Sequence, residues 1–145
     1  MNELVTETFK LLDAQAAAQG VRVELDLEQG LSLLPGAPAA LRQVLLNLAT
    51  NALQAMPDGG RLHCRTRHHT PAQAIEITFT DTGPGISAKD RAHLFEPFFT
   101  TRPEGTGLGL ALCREIVHQH GGTIELVDPS QPGTTFRLLL PTAER

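Results

Sequence analysis

Four side-chain amides, Gln43, Asn47, Asn51 and Gln54, recur at helical spacing in the segment LRQVLLNLATNALQAM. At about 100° per residue they fall on one narrow stripe. Val44, Leu45, Leu48, Ala49, Ala52, Leu53 and Met56 cover the opposite side. A solvated helix face normally carries Lys, Glu or Arg, so an uncharged stripe over three turns is unusual. An amide oxygen is a hard, neutral ligand of the kind Mg²⁺ accepts, because that ion keeps most of its waters and takes few protein groups. On this helix alone, a solvated or hydrogen-bonded polar face is the simpler reading.

Three further stretches could meet a ligand. Asp81-Thr82-Gly83-Pro84-Gly85-Ile86 follows an alternating segment, AIEITFTD. Its two glycines allow a sharp turn and close backbone approach, and its Asp can accept a hydrogen bond from an exocyclic amine. Leu94-Phe95-Glu96-Pro97-Phe98-Phe99-Thr100-Thr101 holds three of the six phenylalanines. It reads as a hydrophobic plug or as a mobile element anchored by its aromatics. Gly105-Thr106-Gly107-Leu108-Gly109-Leu110 runs into a helical pattern. The exposed N–H groups and positive end of a helix there would suit phosphate oxygens. The spacing matches neither Gly-x-x-x-x-Gly-Lys-Ser/Thr nor Gly-x-Gly-x-x-Gly.

These segments need a scaffold, and the periodicity supplies one. A helix is expected up to Gly20, then a half-buried strand over 21–27 with Val21, Val23, Leu25 and Leu27 on one face. A short second strand is expected at 31–34. The amide helix spans 39–56, with Pro38 near its start and a stop at Met56-Pro57-Asp58-Gly59-Gly60. Strands follow at 61–67 and 74–81, joined by a polar loop through His68, His69 and Pro71. A second strong helix starts after the glycine run and closes at Gly121-Gly122. Strands at 123–128 and 134–141 form a closing hairpin. The expected class is α+β, one sheet with helices on one face.

Composition narrows the possibilities. The chain has 145 residues, the size of one domain, and a formal charge of −4. That balance argues against a nucleic-acid binder, which would show a basic face. Cys64 and Cys113 form no Cys-x-x-Cys pair, so buried, reduced thiols are expected in place of a zinc site. No stretch approaches the ~20 apolar residues of a membrane helix, and the opening residues do not read as a signal peptide. The expected location is cytoplasmic, with a parent protein free to be membrane-anchored.

The order of the motifs resembles a known family. Asn47–Asn51, Asp81–Gly85, the Phe-Glu-Pro-Phe-Phe run, Gly105–Gly109 and Pro132-Gly133-Thr134-Thr135-Phe136 are similar to the N, G1, F, G2 and final-strand motifs of the histidine-kinase ATPase domain. That domain shares a superfamily with DNA gyrase, the ninety-kilodalton heat-shock chaperones and mismatch-repair ATPases. The wording FEPFFTT followed by GTGLGL is most like the nitrogen-regulation class. The resemblance implies a two-layer α/β sandwich of the Bergerat type, with a mixed, mostly antiparallel sheet. It also implies ATP and Mg²⁺ as ligands over a catalytic domain spanning 1–145.

The same resemblance implies residue roles. Asn51 would coordinate Mg²⁺ and Asn47 would lie beside the nucleotide. Asp81 would accept from the adenine 6-amino group, with Gly83, Gly85 and Ile86 shaping the adenine slot. Phe99, Thr100, Thr101 and Arg102 would border the nucleotide, and Gly105, Thr106, Gly107, Leu108, Gly109 and Leu110 would meet the phosphates. Thr134, or its neighbour Thr135, would support the adenine pocket. Two departures matter. Gln54 stands where many relatives carry a cation. Only Arg102, Pro103 and Glu104 separate Thr101 from Gly105, so the nucleotide lid is very short and Arg102 becomes the candidate cation near the γ-phosphate.

None of the six histidines lies on a segment like the family's acceptor hairpin. The resemblance therefore implies that a separate dimerisation and phosphoacceptor domain supplies the histidine, and that a response regulator is the indirect partner. This fragment is expected to be monomeric and not to phosphorylate itself. A rival is a non-enzymatic, nucleotide-gated interaction module of the same superfamily. Self-contained hydrolysis is disfavoured, because Arg42 and Gln43 occupy the stretch where chaperone and gyrase relatives use a Glu base.

Overall fold

A computed structural model describes residues 1–31, 36–99, 109–127 and 132–142. The elements run α1 (Asn2–Gln19), β1 (Val21–Leu27), α2 (Pro38–Gln54), β2 (Gly60–His69), β3 (Ala74–Asp81), α3 (Ala88–Arg91), α4 (Gly109–Gln119), β4 (Thr123–Val127) and β5 (Thr134–Pro141). The sheet order is β1-β2-β3-β5-β4. Among the described residues β1–β2 is the one parallel pairing; β2–β3, β3–β5 and β4–β5 are antiparallel. This is the expected mixed, mostly antiparallel sheet.

Alternation along each strand creates two unlike faces. Leu62, Cys64, Ile75, Ile77, Phe79, Phe136, Leu138 and Leu140 point to one side and are buried. α1 and α2 cover them with Val5, Phe9, Leu12, Val44, Leu45, Leu48 and Leu53, and α4 adds Cys113 and Val117. Leu48 is 1% exposed, and burial of such a side chain contributes about 1.5–3 kcal/mol. Among the described residues the opposite face is mostly polar and carries ion pairs. Arg67 pairs with Asp26 at 2.8 Å, Arg61 with Glu24 at 3.6 Å, and Arg137 bridges Glu76 and Glu125. Helices are held where apolar area is available to bury, and α1, α2 and α4 all pack on the apolar side.

One expectation is corrected. His68 and His69 lie in β2 and not in a loop: they pair with Ile75 and Ala74, and the turn is Thr70–Gln73. Backbone pairing with Ile75 and Ala74 keeps His68 and His69 in the strand although neither side chain is buried. The strand expected at 31–34 lies outside the described residues except for Leu31, which is not in a strand. Helix ends otherwise follow the punctuation. Gly20 adopts the left-handed conformation at the end of α1, and Pro38 sits in the first turn of α2.

Candidate functional site

Asp81 is the last residue of β3. The alternation that buries Ile75, Ile77 and Phe79 also turns Asp81 toward the helices, where it is 6% exposed. Its cross-strand partner is Thr134, itself 9% exposed. Among the described residues only four polar side chains are buried, and these two are directly opposite each other. Buried polar groups are costly unless engaged, so the pair marks the sheet end as polar by design. Thr135 faces the other side, where its hydroxyl donates to Thr80 Oγ1 at 3.2 Å. Of the two threonines, Thr134 is the one that shares Asp81's face.

The turn after Asp81 is fixed by several contacts. Asp81 Oδ1 accepts from the Gly83 N–H at 2.9 Å, an Asx-type turn that orients the carboxylate. Thr82 is pinned to β2: its N–H donates to the Arg61 carbonyl, and its hydroxyl accepts from the Arg61 N–H at 3.0 Å. Gly83 lies against the end of α2, since a Cβ there would stand 3.1 Å from the Ala55 carbonyl oxygen. The Ala55 N–H donates to the Asn51 carbonyl at 3.2 Å. One helical turn therefore separates Asn51 from the Asp81 turn.

On α2, Asn47 and Asn51 are half-buried, while Gln43 and Gln54 are exposed. Gln43 Nε2 donates to Asn47 Oδ1 at 2.9 Å, and Asn47 Nδ2 donates to the Gly109 carbonyl at 3.5 Å. Asn47 thus joins the amide stripe to the first residue of α4. Beside it, the Cys113 thiol donates to the Val44 carbonyl at 3.7 Å. Burial pushes this thiol up to about 12, against a hydrogen bond with Asn47 that lowers it, and burial alone takes Cys64 to about 12. Both cysteines are free and buried, as expected.

The Phe run divides by function. Phe95 packs edge-on to Phe136 at 6.2 Å, with the Arg114 guanidinium 5.8 Å from its ring centre. Phe99 is partly buried against the core and 5.8 Å from the His93 ring. Phe98 points outward, 75% exposed. A small solvent-open cleft of about 100 Å³ lies between the Pro84–Ile86 turn and the β4–β5 end, lined among others by Gly85, Ile86, Thr134, Leu126 and Val127. Asp81 and the amide stripe do not line it.

The structure thus links the candidates in two groups: Asp81, Gly83, Gly85, Ile86 and Thr134 gather at the β3–β5 end, with Gly83 against the end of α2 that Asn51 precedes by one turn, while Asn47 meets Gly109 at the start of α4, next to Leu110. Thr100, Thr101, Arg102, Gly105, Thr106, Gly107 and Leu108 lie outside the described residues. Among the described residues no group of three or more His, Cys, Asp or Glu could cage a metal. Two contributors escaped sequence reading. Gln19, at the end of α1, donates to the Leu53 and Met56 carbonyls at 2.9 and 3.1 Å and so caps α2 beside the site. His120, in the turn after α4, accepts from the Ala37 N–H. Neither position carries a periodic signal, because each acts across a fold-level contact.

Residues 36–144 match the family of histidine kinase-, DNA gyrase B- and HSP90-like ATPases, and the chain belongs to it. It is 37% identical to the sensor histidine kinase ZraS of Escherichia coli (strain K12) over 97% of its own length, which is 30% of ZraS. It therefore spans about a third of that relative. The catalytic domain of histidine kinase ThkA superposes with a TM-score of 0.87 at 26% identity, covering 98% of this chain and 92% of that one. Full-length ShkA in complex with AMPPNP gives a TM-score of 0.87 at 26% identity, covering 99% of this chain and 30% of that one. Among the described residues no helix is long and apolar enough to cross a membrane.

Proposed function

We propose that this chain binds Mg–ATP and presents its γ-phosphate to a histidine carried by a separate dimerisation and phosphoacceptor domain, as the catalytic domain of a cytoplasmic two-component kinase module. The observation that carries the reading is the buried Asp81–Thr134 pair at the sheet end, whose following turn lies one helical turn from Asn51. Asp81 accepts the adenine amino hydrogen there, and Thr134 supports it from the neighbouring strand. Gly83, Gly85 and Ile86 border the base. Gly109 and Leu110 open α4, whose N-terminus faces the phosphates. Thr100, Thr101, Arg102 and the rest of the Gly105–Leu108 run complete this side by their place in the sequence. ShkA's complex with AMPPNP supports a nucleotide in this fold.

The residues present suit Mg²⁺. Asn51 offers a neutral oxygen on a half-buried face, and the described residues hold no competing acidic cage. An ion held chiefly by phosphate oxygens and water needs no more than this. When bound, Mg²⁺ neutralises charge on the phosphates; the chain's own residues supply positioning, which is most of what phosphoryl transfer asks of a protein. The wording FEPFFTT before GTGLGL favours the nitrogen-regulation class. A response regulator receives the phosphate next in this reading, as ThkA's complex with the response regulator TrrA illustrates for that kinase.

Calorimetric titration with ATP, with and without Mg²⁺, tests the proposal. Wild type is expected to bind, Asp81→Asn to lose adenine-nucleotide affinity by roughly tenfold or more, in line with a lost buried hydrogen bond, and Asn51→Ala to lose the Mg²⁺ effect. No binding at millimolar ATP would overturn the reading. Transfer of phosphate to an added acceptor domain separates the kinase from a nucleotide-gated interaction module, which would bind ATP and transfer nothing.

A further inference from the structure

α2 and α4 run antiparallel, and three hydrogen bonds tie them at three levels. At the site end, Asn47 Nδ2 donates to the Gly109 carbonyl at 3.5 Å. In the middle, the Cys113 thiol donates to the Val44 carbonyl at 3.7 Å. At the far end, the Ala37 N–H donates to His120 Nε2 at 3.3 Å. The far tie is built with some care. His120 Nδ1 lies 2.8 Å from the Ile116 carbonyl, which can only accept, so Nδ1 carries the ring hydrogen and Nε2 is left as an acceptor. Ala37 is the N-cap of α2 and offers no side-chain cap. The ring fills the space beside Gly36, where a Cβ would stand 2.2 Å from His120 Cδ2.

We propose that His120 is a positioning residue for nucleotide binding: its neutral ring clamps the start of α2 to the end of α4 and thereby sets how the Gly109 end of α4 lies against Asn47 and Asn51. The inference rests on the nucleotide site proposed above. Packed helices can slide past each other by small shear steps, and a directional hydrogen bond between the helix ends opposes such sliding. The phosphate end depends on the relation of α4 to α2. The base end depends on Asp81 and Thr134, which strand pairing holds in the sheet. Loss of the clamp therefore acts on one half of the site.

The test uses the whole chain with His120→Ala and His120→Gln, read by NMR titration with Mg–ATP and by thermal unfolding. Gln retains an acceptor for Ala37 and a donor for Ile116. His120→Ala is expected to weaken ATP binding roughly tenfold, the effect of one lost directional contact, and His120→Gln to recover to within about threefold. At saturating ATP, the amide shifts of Gly83 and Thr134 in His120→Ala should match wild type, while those of Gly109 and Leu110 should not. ATP affinity within twofold of wild type would overturn the proposal, as would shifts displaced equally at both ends. If His120→Ala does not fold, His120→Gln decides: a Gln variant that folds as stably as wild type yet shows no protection of the Ala37 amide and unchanged ATP affinity refutes the clamp, and one that protects that amide and binds ATP supports it. Wild type that binds no ATP refutes the nucleotide site itself, and the clamp with it.

Discussion

Gly133 offers a quantitative check on how the Asp81 end of the sheet is built. It adopts φ +81°, and a Cβ at this position would stand 2.1 Å from the Asp81 carbonyl oxygen. Gly133→Ala thus imposes two separable costs. The left-handed backbone costs an L-residue about 1–2 kcal/mol, and forcing a methyl into occupied space adds about 1–3 kcal/mol. The obstacle is backbone in a paired strand, so no side-chain rotation relieves it. Gly30 supplies the control, because it has φ +74° and nothing within 4 Å of its would-be Cβ. Gly30→Ala carries the conformational cost alone. The gain from restricting the unfolded chain is the same for both and cancels in the comparison. Against a total of about 5–15 kcal/mol, both variants remain folded at room temperature. Urea unfolding should place Gly133→Ala at least about 1 kcal/mol below Gly30→Ala. Its Tm should be lower by several degrees, at about 2–4 °C per kcal/mol for a domain near this size. Its ATP affinity should also fall, because displacing the Asp81 carbonyl moves the carboxylate. Equal destabilisation by the two substitutions would refute the claim that Gly133 is required by close approach.

The two threonines of β5 should respond oppositely. Thr134→Val removes a hydroxyl from Asp81's face and should weaken ATP binding several-fold, whereas Thr135→Val removes only the contact with Thr80 on the opposite face and should leave affinity unchanged; calorimetry on both variants decides. The thiols predict an alkaline limit. Cys64 and Cys113 are raised to about 12 by burial from an ordinary value of 9.0. The thiols' contribution to stability is therefore fully present below pH 9 and is lost as pH rises toward 12, since the unfolded chain releases these protons first. Each thiol contributes a slope of about 1.4 kcal/mol per pH unit in that window. Urea unfolding at pH 8.5, 9.5 and 10.5 should show a shallower decline for Cys113→Ala than for wild type, and parallel declines would contradict the assignment.

Much of the scaffold is legible because burial has a period. The alternation of AIEITFTD is the observed strand Ala74–Asp81, and the apolar positions read from the amide helix are all buried. Gly20 and Pro38 mark helix ends through local backbone rules that need no tertiary context. The order of the motifs similarly carries the family, because glycines and amides at fixed offsets are demanded by backbone approach and ligand chemistry.

Other features are invisible until the strands pair. The end of β2 is one: His68 and His69 look like loop residues, and only the register with Ile75 and Ala74 makes them strand. The choice between Thr134 and Thr135 is another, since one residue of register decides which hydroxyl faces Asp81. Gln19 and His120 belong to the same group. Each satisfies a backbone group more than thirty residues away in sequence, and a contact between distant segments leaves no periodic trace in either. Local pattern therefore determined which elements form and what chemistry they carry. Tertiary structure alone decided which face, which neighbour and which helix register the chemistry meets, because those depend on pairing between chain segments that no window of sequence contains.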